Sequence, residues 1–138
     1  MEKLEHIGIA VKDLDESNRL FAKLLGKEHY KIEEVESEGV RTSFFKIGDL
    51  KIELLEATRG DSPVARFILN RGEGIHHLAF EVEDINKNLK EYAEKGFTVL
   101  QEASKPGADG KLIGFLHPKS TNGVLIELCQ SIAPASEI

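Results

Sequence analysis

The sequence predicts an α+β fold built from two pseudo-symmetric modules, each running strand, helix and then three further strands. The main observation is an internal repeat. The stretch "EHIGIAVKDL" (residues 5–14) aligns with "HHLAFEVEDI" (residues 76–85) at a constant offset of 71 residues. Two more observations extend the repeat, since a helix pattern and then a strand hairpin follow each copy. We expect the two βαβββ modules to form one cupped mixed sheet.

Each copy of the repeat predicts a short strand that leads into a helix. Asp13 and Asp84 follow the strands at the N-cap position, and each helix runs into a glycine, Gly26 or Gly96. Apolar residues at helical spacing predict the buried face of each helix. They are Leu14, Phe21, Leu24 and Leu25 in the first helix and Ile85, Leu89, Tyr92 and Ala93 in the second.

A hairpin of two strands is predicted after each helix. The first hairpin, "RTSFFKIGDLKIELLE" (residues 41–56), turns at Gly48–Asp49. The second, "KLIGFLHPKSTNGVLIELCQ" (residues 111–130), has the same pattern with a longer turn. One further strand is predicted before each hairpin, near residues 28–35 and 97–102.

The 138 residues predict a single domain, residues 1–138, without a second core. A short helix that begins at Ser62–Pro63 is expected to join the modules. The tail "SIAPASEI" carries no readable signal, and we expect it to be loosely ordered. The boundaries are about 4–58 for the first module, about 61–71 for the linker helix and about 74–130 for the second module.

Composition and charge narrow the classes of partner. The net charge of −6 argues against general binding to nucleic acid or to an anionic membrane surface. The stretch "MEKLEHIGIAV" is too short and acidic for a secretory signal, and no apolar run is long enough to span a bilayer, so we expect a cytoplasmic protein. Cys129 is the single cysteine, which excludes an internal disulfide and a thiolate metal cluster, and it is expected to be a small buried apolar residue.

The repeat assigns one histidine and one glutamate to each module. His6 aligns with His77, and Glu127 lies 74 residues after Glu53 because the second hairpin turn holds three more residues. Taken alone, His6 and Glu53 have ordinary structural explanations, whereas Glu127 lies in the apolar run "VLIELC", where a carboxylate needs a partner. Around a pseudo-twofold axis all four would converge on one point, and two imidazoles with two carboxylates suit a borderline divalent ion.

Strand alternation selects one of the two adjacent histidines, His76 and His77. Neighbouring residues of a strand point to opposite faces of the sheet. The face of His6 carries Gly8, and the face of His77 carries Ala79, so small residues leave room there for a ligand. We therefore predict that His77 is the metal ligand, and that His76 points away and is structural or bonded to a neighbouring loop.

Weaker candidates lie in the second hairpin. His117 precedes a proline at a turn, where a structural role is the more common explanation. Lys111 and Lys119 lie near the mouth of the expected cavity, although lysines are usually just solvated. The glycine-rich stretch "PGADGK" (residues 106–111) is predicted to be a loop or lid and is not a P-loop.

Several stretches resemble the methylmalonyl-CoA epimerase family of the vicinal oxygen chelate superfamily. The resemblance covers roughly residues 4–130, and its most specific part is "PGADGKLIGFLHPKSTNGVLIEL". The other matching stretches are "HIGIAV", "EGVRTSFF", "KIELLE", "DSPVARFI" and "RGEGIHHLAFEV".

The resemblance implies a fold, a reaction and partners. It implies two βαβββ modules around a metal centre, a homodimer, and interconversion of the (R) and (S) epimers of methylmalonyl-CoA, an acyl-CoA substrate. It also implies a divalent ion, with Co²⁺ favoured and Ni²⁺, Mn²⁺, Zn²⁺ or Mg²⁺ as alternatives, which acts as a Lewis acid towards the enolate. An acid/base group is needed on each face of the reacting carbon.

The resemblance also implies roles for individual residues. The family's metal positions fall on His6, Glu53, His77 and Glu127, and Glu127 also falls on one proposed base. The other base falls on Thr42, which is not a carboxylate, so we expect Glu53 to act on the second face, with His117 or a bound water as alternatives.

Two other functions stay open at this point. One is a glyoxalase I-like lyase, which uses the same enolate chemistry on a thiol hemithioacetal. The other is a non-catalytic module of this fold that binds a small molecule. An intact set of four metal ligands favours an enzyme, since binding alone does not require it.

Overall fold

The structure is a computed structural model that describes residues 1–132. The prediction of a loosely ordered tail falls mainly on residues 133–138, which lie outside the described residues. Contacts within the chain define two units. The first unit is Glu5–His77, and the second joins Met1–Leu4 to the chain from Leu78 onward.

The first unit is a four-stranded sheet with two helices. Its sheet has the order β2-β3-β4-β1, in which β1 and β4 are parallel and the other neighbours are antiparallel. Its elements are β1 (Lys3–Ala10, from Glu5 onward), α1 (Leu14–Leu25), β2 (Lys31–Val35), β3 (Val40–Ile47), β4 (Leu50–Ala57) and α2 (Pro63–Arg71).

The second unit has the same plan. Its sheet has the order β5-β8-β7-β6, in which β5 and β8 are parallel. Both parts of the chain therefore run strand, helix and three strands, which confirms the predicted βαβββ pattern. The elements are β5 (Gly74–Glu81, from Leu78 onward), α3 (Ile85–Glu94), β6 (Lys105–Pro106), β7 (Lys111–Leu116) and β8 (Ile126–Ser131).

The helices begin where the sequence predicted. Each has a side-chain cap whose oxygen accepts a hydrogen bond from a backbone N–H group of the first turn, which satisfies a donor that the helix itself leaves unpaired. Gly26 ends α1 in the left-handed conformation, with φ 74°. The caps are Asp13 to Glu16 at 3.0 Å, Ser62 to Ala65 at 3.1 Å and Asp84 to Lys87 at 3.3 Å.

Each unit packs the bulky face of its sheet under its own helix. Val11, Phe45 and Leu54 are buried against α1 in the first unit, together with Leu14 of that helix. Val82 and Leu128 are buried with Ile85 and Leu89 of α3 in the second unit. Face alternation predicted this arrangement, but Leu24 of α1, expected on the buried face, is 70% exposed.

The two hairpins have the same register. Phe44 of β3 lies opposite Glu53 of β4, and Phe115 of β7 lies opposite Glu127 of β8. The parallel neighbours agree, since Glu53 lies opposite Gly8 and Glu127 lies opposite Ala79. The strand pairing therefore makes Glu53 and Glu127 equivalent within their own units.

The prediction of a strand near residues 97–102 is wrong. That segment contributes one isolated bridge, from Val99 to Leu116, and the strand that flanks β7 is β6, with Lys105 opposite Ile113. The apolar side chains of 97–102 misled the prediction, because Val99 packs into the core under α3 without a continuous backbone ladder. The stretch predicted as a loop or lid, residues 106–111, forms the turn that joins β6 to β7, where Gly107 N–H donates to the carbonyl of Lys111.

None of the helices within residues 1–132 is long and apolar enough to cross a membrane.

We predict that Asp13→Ala lowers the free energy of unfolding by about 1 kcal/mol, because the N–H of Glu16 loses its acceptor. Urea unfolding followed by circular dichroism measures the change. Asp13→Asn keeps an oxygen at the cap and is the control, expected to stay close to wild type. Equal unfolding midpoints for Asp13→Ala and wild type would contradict the role of this cap.

Candidate metal centre

Three of the four predicted metal ligands meet in the first unit. Nε2 of His6 lies 3.0 Å from Nε2 of His77, and Nδ1 of His6 lies 3.1 Å from Oε2 of Glu53. The three residues are buried, with 4% of His6, 6% of His77 and 4% of Glu53 exposed. The unit thus gathers two imidazoles and a carboxylate out of solvent.

Strand pairing explains why these side chains meet. Parallel pairing of β1 with β4 puts Gly8 opposite Glu53, so Glu53 shares the face of His6, two residues earlier in β1. Gly8 also makes the space for the second imidazole, because a Cβ atom at this position would lie 2.3 Å from Cε1 of His77. The predicted small residue beside the histidine is therefore a steric requirement.

The electrostatics favour a neutral His77. Burial lowers the pKa of His77 well below its ordinary value, and the neighbouring His6 and His76 lower it further. A neutral imidazole keeps one nitrogen lone pair, which is the form that binds a metal ion.

The donor set fits a divalent ion. Two imidazole nitrogens face each other at 3.0 Å and a carboxylate lies beside one ring, all buried. Imidazole and carboxylate together suit borderline ions such as Co²⁺, Ni²⁺ and Zn²⁺, and a cation would balance the charge of Glu53. Nε2 of His6 and Nε2 of His77 are thus placed to hold the metal that the sequence predicted, whereas Glu53 contacts Nδ1, the other nitrogen of the His6 ring.

Glu127 belongs to the second unit. It lies on β8, is 5% exposed, and is flanked by Ala79 on β5 and Phe115 on β7. Its position in the strand register is the one that Glu53 has in the first unit. A carboxylate in so apolar a strand requires a compensating partner.

Sequence reasoning missed Glu5 and Lys51. Oε1 of Glu5 lies 2.6 Å from Nδ1 of His6, and Oε2 lies 2.7 Å from Nζ of Lys51. Burial by itself raises the pKa of Glu5, but the hydrogen bonds with His6 and Lys51 and their charges outweigh it and hold that pKa down to about 2. Glu5 is therefore an ionised carboxylate in direct contact with a candidate ligand.

His76 does not point away from the candidate site as predicted. Its Nδ1 atom lies 2.9 Å from Nδ1 of His77, and its ring meets Phe67 of α2 edge-on at a centroid distance of 5.0 Å. Burial lowers the pKa of His76 to about 4, although nearby Glu38 raises it. The alternation rule fixes only the direction of each Cα–Cβ bond. Nδ1 lies two bonds beyond Cβ, so the imidazole rings of two adjacent residues can still meet at the edge of the strand.

A signal for both contacts was present in the repeat. At the offset of 71 residues Glu5 aligns with His76, so each candidate ligand is preceded by the residue that bonds its Nδ1 atom. The alignment therefore held a second pair of equivalent polar positions beside the histidines.

A sequence profile described as the Glyoxalase/Bleomycin resistance protein/Dioxygenase superfamily matches residues 5–115. The chain belongs to this superfamily. An ethylmalonyl-CoA/methylmalonyl-CoA epimerase of Cereibacter sphaeroides is 40% identical to it over 130 residues, which are 93% of this chain and 97% of that protein. The mitochondrial methylmalonyl-CoA epimerase of Homo sapiens is 38% identical over 130 residues, 94% of this chain and 74% of that protein.

Solved structures agree with these relatives. A variant of Streptomyces coelicolor methylmalonyl-CoA epimerase in complex with 2-nitronate-propionyl-CoA matches with a TM-score of 0.92 and 38% identity, over 96% of both chains. The predicted vicinal oxygen chelate fold and the predicted resemblance to methylmalonyl-CoA epimerases, which are isomerases, are confirmed.

The predicted substrate-binding residues of this superfamily member lie in different settings. Thr42 on β3 is 1% exposed and lies opposite Leu55, on the sheet face that also carries Glu53. In the second unit, Lys111 donates to Oγ of Ser131 at 2.6 Å. His117 Nδ1 accepts the N–H of Lys119 at 3.0 Å, and the side chain of Lys119 is exposed. These contacts are structural, and the substrate roles stay predictions.

We predict that Gly8→Ala displaces the ring of His77, because the new Cβ atom would overlap it. Overpacking of this kind costs about 1–3 kcal/mol of folding free energy. The measurements are the imidazole NMR signals of His77 and the thermal unfolding midpoint.

Gly60→Ala is the matched control, since its Cβ atom would have nothing within 4 Å. If Gly8→Ala left both the signals of His77 and the midpoint at wild-type values, the steric role of Gly8 would be wrong.

Proposed function

We propose that this chain is a methylmalonyl-CoA epimerase that uses a divalent ion held by His6, Glu53, His77 and Glu127. The observation that carries the proposal is the buried meeting of His6, Glu53 and His77 in a chain 38–40% identical to epimerases over nearly its whole length. Glu127 is included because it occupies the same register position as Glu53 and is buried.

The proposed reaction is a proton removal and a proton return at C2 of the acyl group. When bound, the ion would supply Lewis-acid stabilisation of the negative charge that develops on the thioester oxygen, an effect of several kcal/mol. One carboxylate takes the C2 proton, and the electron pair of the broken C–H bond moves into the enolate. A second group then donates a proton to the opposite face of C2, and the C–H bond re-forms with inverted configuration.

Glu127 and Glu53 are proposed as the two acid/base groups. A group fixed on one side of C2 cannot serve both faces unless the intermediate turns over, so two groups are required. Thr42, on the face of Glu53, has a hydroxyl where the resemblance implies a carboxylate base in some family members, and a hydroxyl is a poor base at neutral pH. Glu53 is the equivalent of Glu127 in the repeat and supplies the missing carboxylate.

The finer assignments belong to the same proposal. The substrate is an acyl-CoA, the favoured ion is Co²⁺, the assembly is a homodimer and the compartment is the cytoplasm. The first is supported by the structure of a relative with 2-nitronate-propionyl-CoA. The favoured ion and the assembly follow from the resemblance, and the compartment is kept as the expectation of the sequence analysis.

The function is tested by proton NMR with methylmalonyl-CoA in D2O and the Co²⁺-loaded protein. We expect the C2 proton to exchange with solvent and the two epimers to interconvert. The hemithioacetal of glutathione is the comparison substrate and is expected to be unchanged. Isomerisation of the hemithioacetal without exchange of methylmalonyl-CoA would replace the proposal by a glyoxalase I-like lyase.

Glu53→Gln separates the two proposed acid/base groups. The amide oxygen can still coordinate an ion, so metal content should stay near wild type, whereas inversion should slow by about 100-fold or more. In D2O one epimer should still take up deuterium at C2 through Glu127. Inversion at the wild-type rate with metal bound would remove Glu53 from the acid/base role and point to His117 or a water.

A further inference from the structure

The first unit contains an unbroken series of five polar side chains, here called the His6 network. Nζ of Lys51 lies 2.7 Å from Glu5, and the other oxygen of Glu5 lies 2.6 Å from Nδ1 of His6. Nε2 of His6 lies 3.0 Å from Nε2 of His77, whose Nδ1 lies 2.9 Å from Nδ1 of His76. Both histidines of the candidate metal centre are inner members of this network.

The chemistry of its first members fixes the direction of the hydrogen bonds. A lysine ammonium group only donates and an ionised carboxylate only accepts. Nδ1 of His6 must therefore carry the hydrogen that it donates to Glu5. In its neutral form, which is the form that binds a metal ion, His6 has one N–H group, so Nε2 then keeps the lone pair and directs it towards His77.

We infer that Glu5, held in place by Lys51, is a positioning residue that selects the tautomer of His6 in which Nε2 offers its lone pair to a metal ion. The inference rests on the proposed function for the role of the ion, but the choice of tautomer does not depend on it. A carboxylate behind an imidazole also fixes the ring orientation and raises its basicity, and removing such a partner typically costs 10–100-fold in metal affinity.

His76 occupies the equivalent position in the repeat but has different chemistry. Its imidazole can donate or accept, so it leaves the tautomer of His77 adjustable. When Nε2 of His6 keeps its lone pair, the 3.0 Å contact requires His77 to donate from Nε2, and Nδ1 of His77 then accepts from His76 at 2.9 Å. To bind an ion through Nε2, His77 must move its proton to Nδ1 and donate to His76. The network thus holds one histidine fixed and lets the other adjust.

Glu53 is the competing explanation for the tautomer of His6. Its Oε2 atom lies 3.1 Å from the same Nδ1 atom, which is 2.6 Å from Glu5. Glu5 makes the shorter contact, and Lys51 anchors its second oxygen. Glu53 is itself a proposed metal ligand, so its oxygen is needed elsewhere when an ion is bound. An experiment can separate the two carboxylates.

The test is Glu5→Gln in the full chain without metal. Lys51 should bind the new amide oxygen, which turns the amide NH2 group towards His6 and makes Nδ1 an acceptor. Proton–nitrogen NMR correlation of the imidazole rings, at a pH above the ordinary histidine pKa, should show His6 with the hydrogen on Nδ1 in wild type and on Nε2 in the variant. Calorimetric titration with Co²⁺ should show affinity about 10–100-fold lower.

A rescue variant makes the assignment specific. Lys51→Met combined with Glu5→Gln removes the donor that orients the amide, so the amide oxygen can accept from His6. This double variant should regain the wild-type tautomer and most of the Co²⁺ affinity. Glu33→Gln is the matched control, because it alters a half-buried Lys31–Glu33 pair on β2, outside the His6 network, and it should leave both readouts unchanged.

Two further variants keep the test decisive. If Glu5→Gln fails to fold, the double variant Glu5→Met with Lys51→Met removes both charges together; it should show mixed His6 tautomers and weaker Co²⁺ binding. Wild-type tautomer in that variant or in Glu5→Gln, with a change in Glu53→Gln instead, overturns the inference. Failure of wild type to bind Co²⁺ would overturn the proposed metal site, while the tautomer would still decide the role of Glu5.

Discussion

The burial of charge beside two imidazoles is the constraint on which the first unit depends. Glu5, Glu53 and Lys51 are all less than 10% exposed, although each would be strongly hydrated in water. Their burial is compensated by short contacts to one another and to His6. Those contacts require the β1–β4 register, which sets Lys51 opposite His6 and Glu53 opposite Gly8. A shift of one residue would move the site to the other face and place apolar side chains there.

The repeated module explains why a site of this kind can arise from one short pattern. Each βαβββ module pairs its first and last strands in parallel. Glu53 lies opposite Gly8, two residues after His6, and Glu127 lies opposite Ala79, two residues after His77. A duplicated βαβββ module therefore brings a histidine and a glutamate to equivalent places without a separate origin for each. The bulky face of each sheet is taken up by α1 or α3, which leaves the small-residue face for ligands.

The sequence predicted those features that local chemistry determines. Asp13, Ser62 and Asp84 cap helices, the hairpin turns at Gly48–Asp49, and the repeat identified His6 and His77. The strand near 97–102 was wrong because backbone pairing across the turn at 107–110, rather than apolar content, decides where β6 forms. The contacts of Glu5 and His76 were missed because face alternation treats side chains as vectors from Cα, whereas bonds at Nδ1 depend on ring geometry close to the backbone.

The two histidines of the candidate metal centre have different neighbours although they are equivalent in the repeat. Nδ1 of His6 contacts the carboxylate of Glu5, whereas Nδ1 of His77 contacts the imidazole of His76. A carboxylate behind His6 commits that ring to one tautomer, whereas an imidazole behind His77 permits either. Two committed rings would direct lone pairs at each other across 3.0 Å, which is repulsive without a cation. One committed and one adjustable ring avoid that repulsion, because the adjustable ring can place its proton on either nitrogen. For the proposed epimerase, the single repeat position at which Glu5 aligns with His76 would therefore decide how each imidazole offers a nitrogen to the ion.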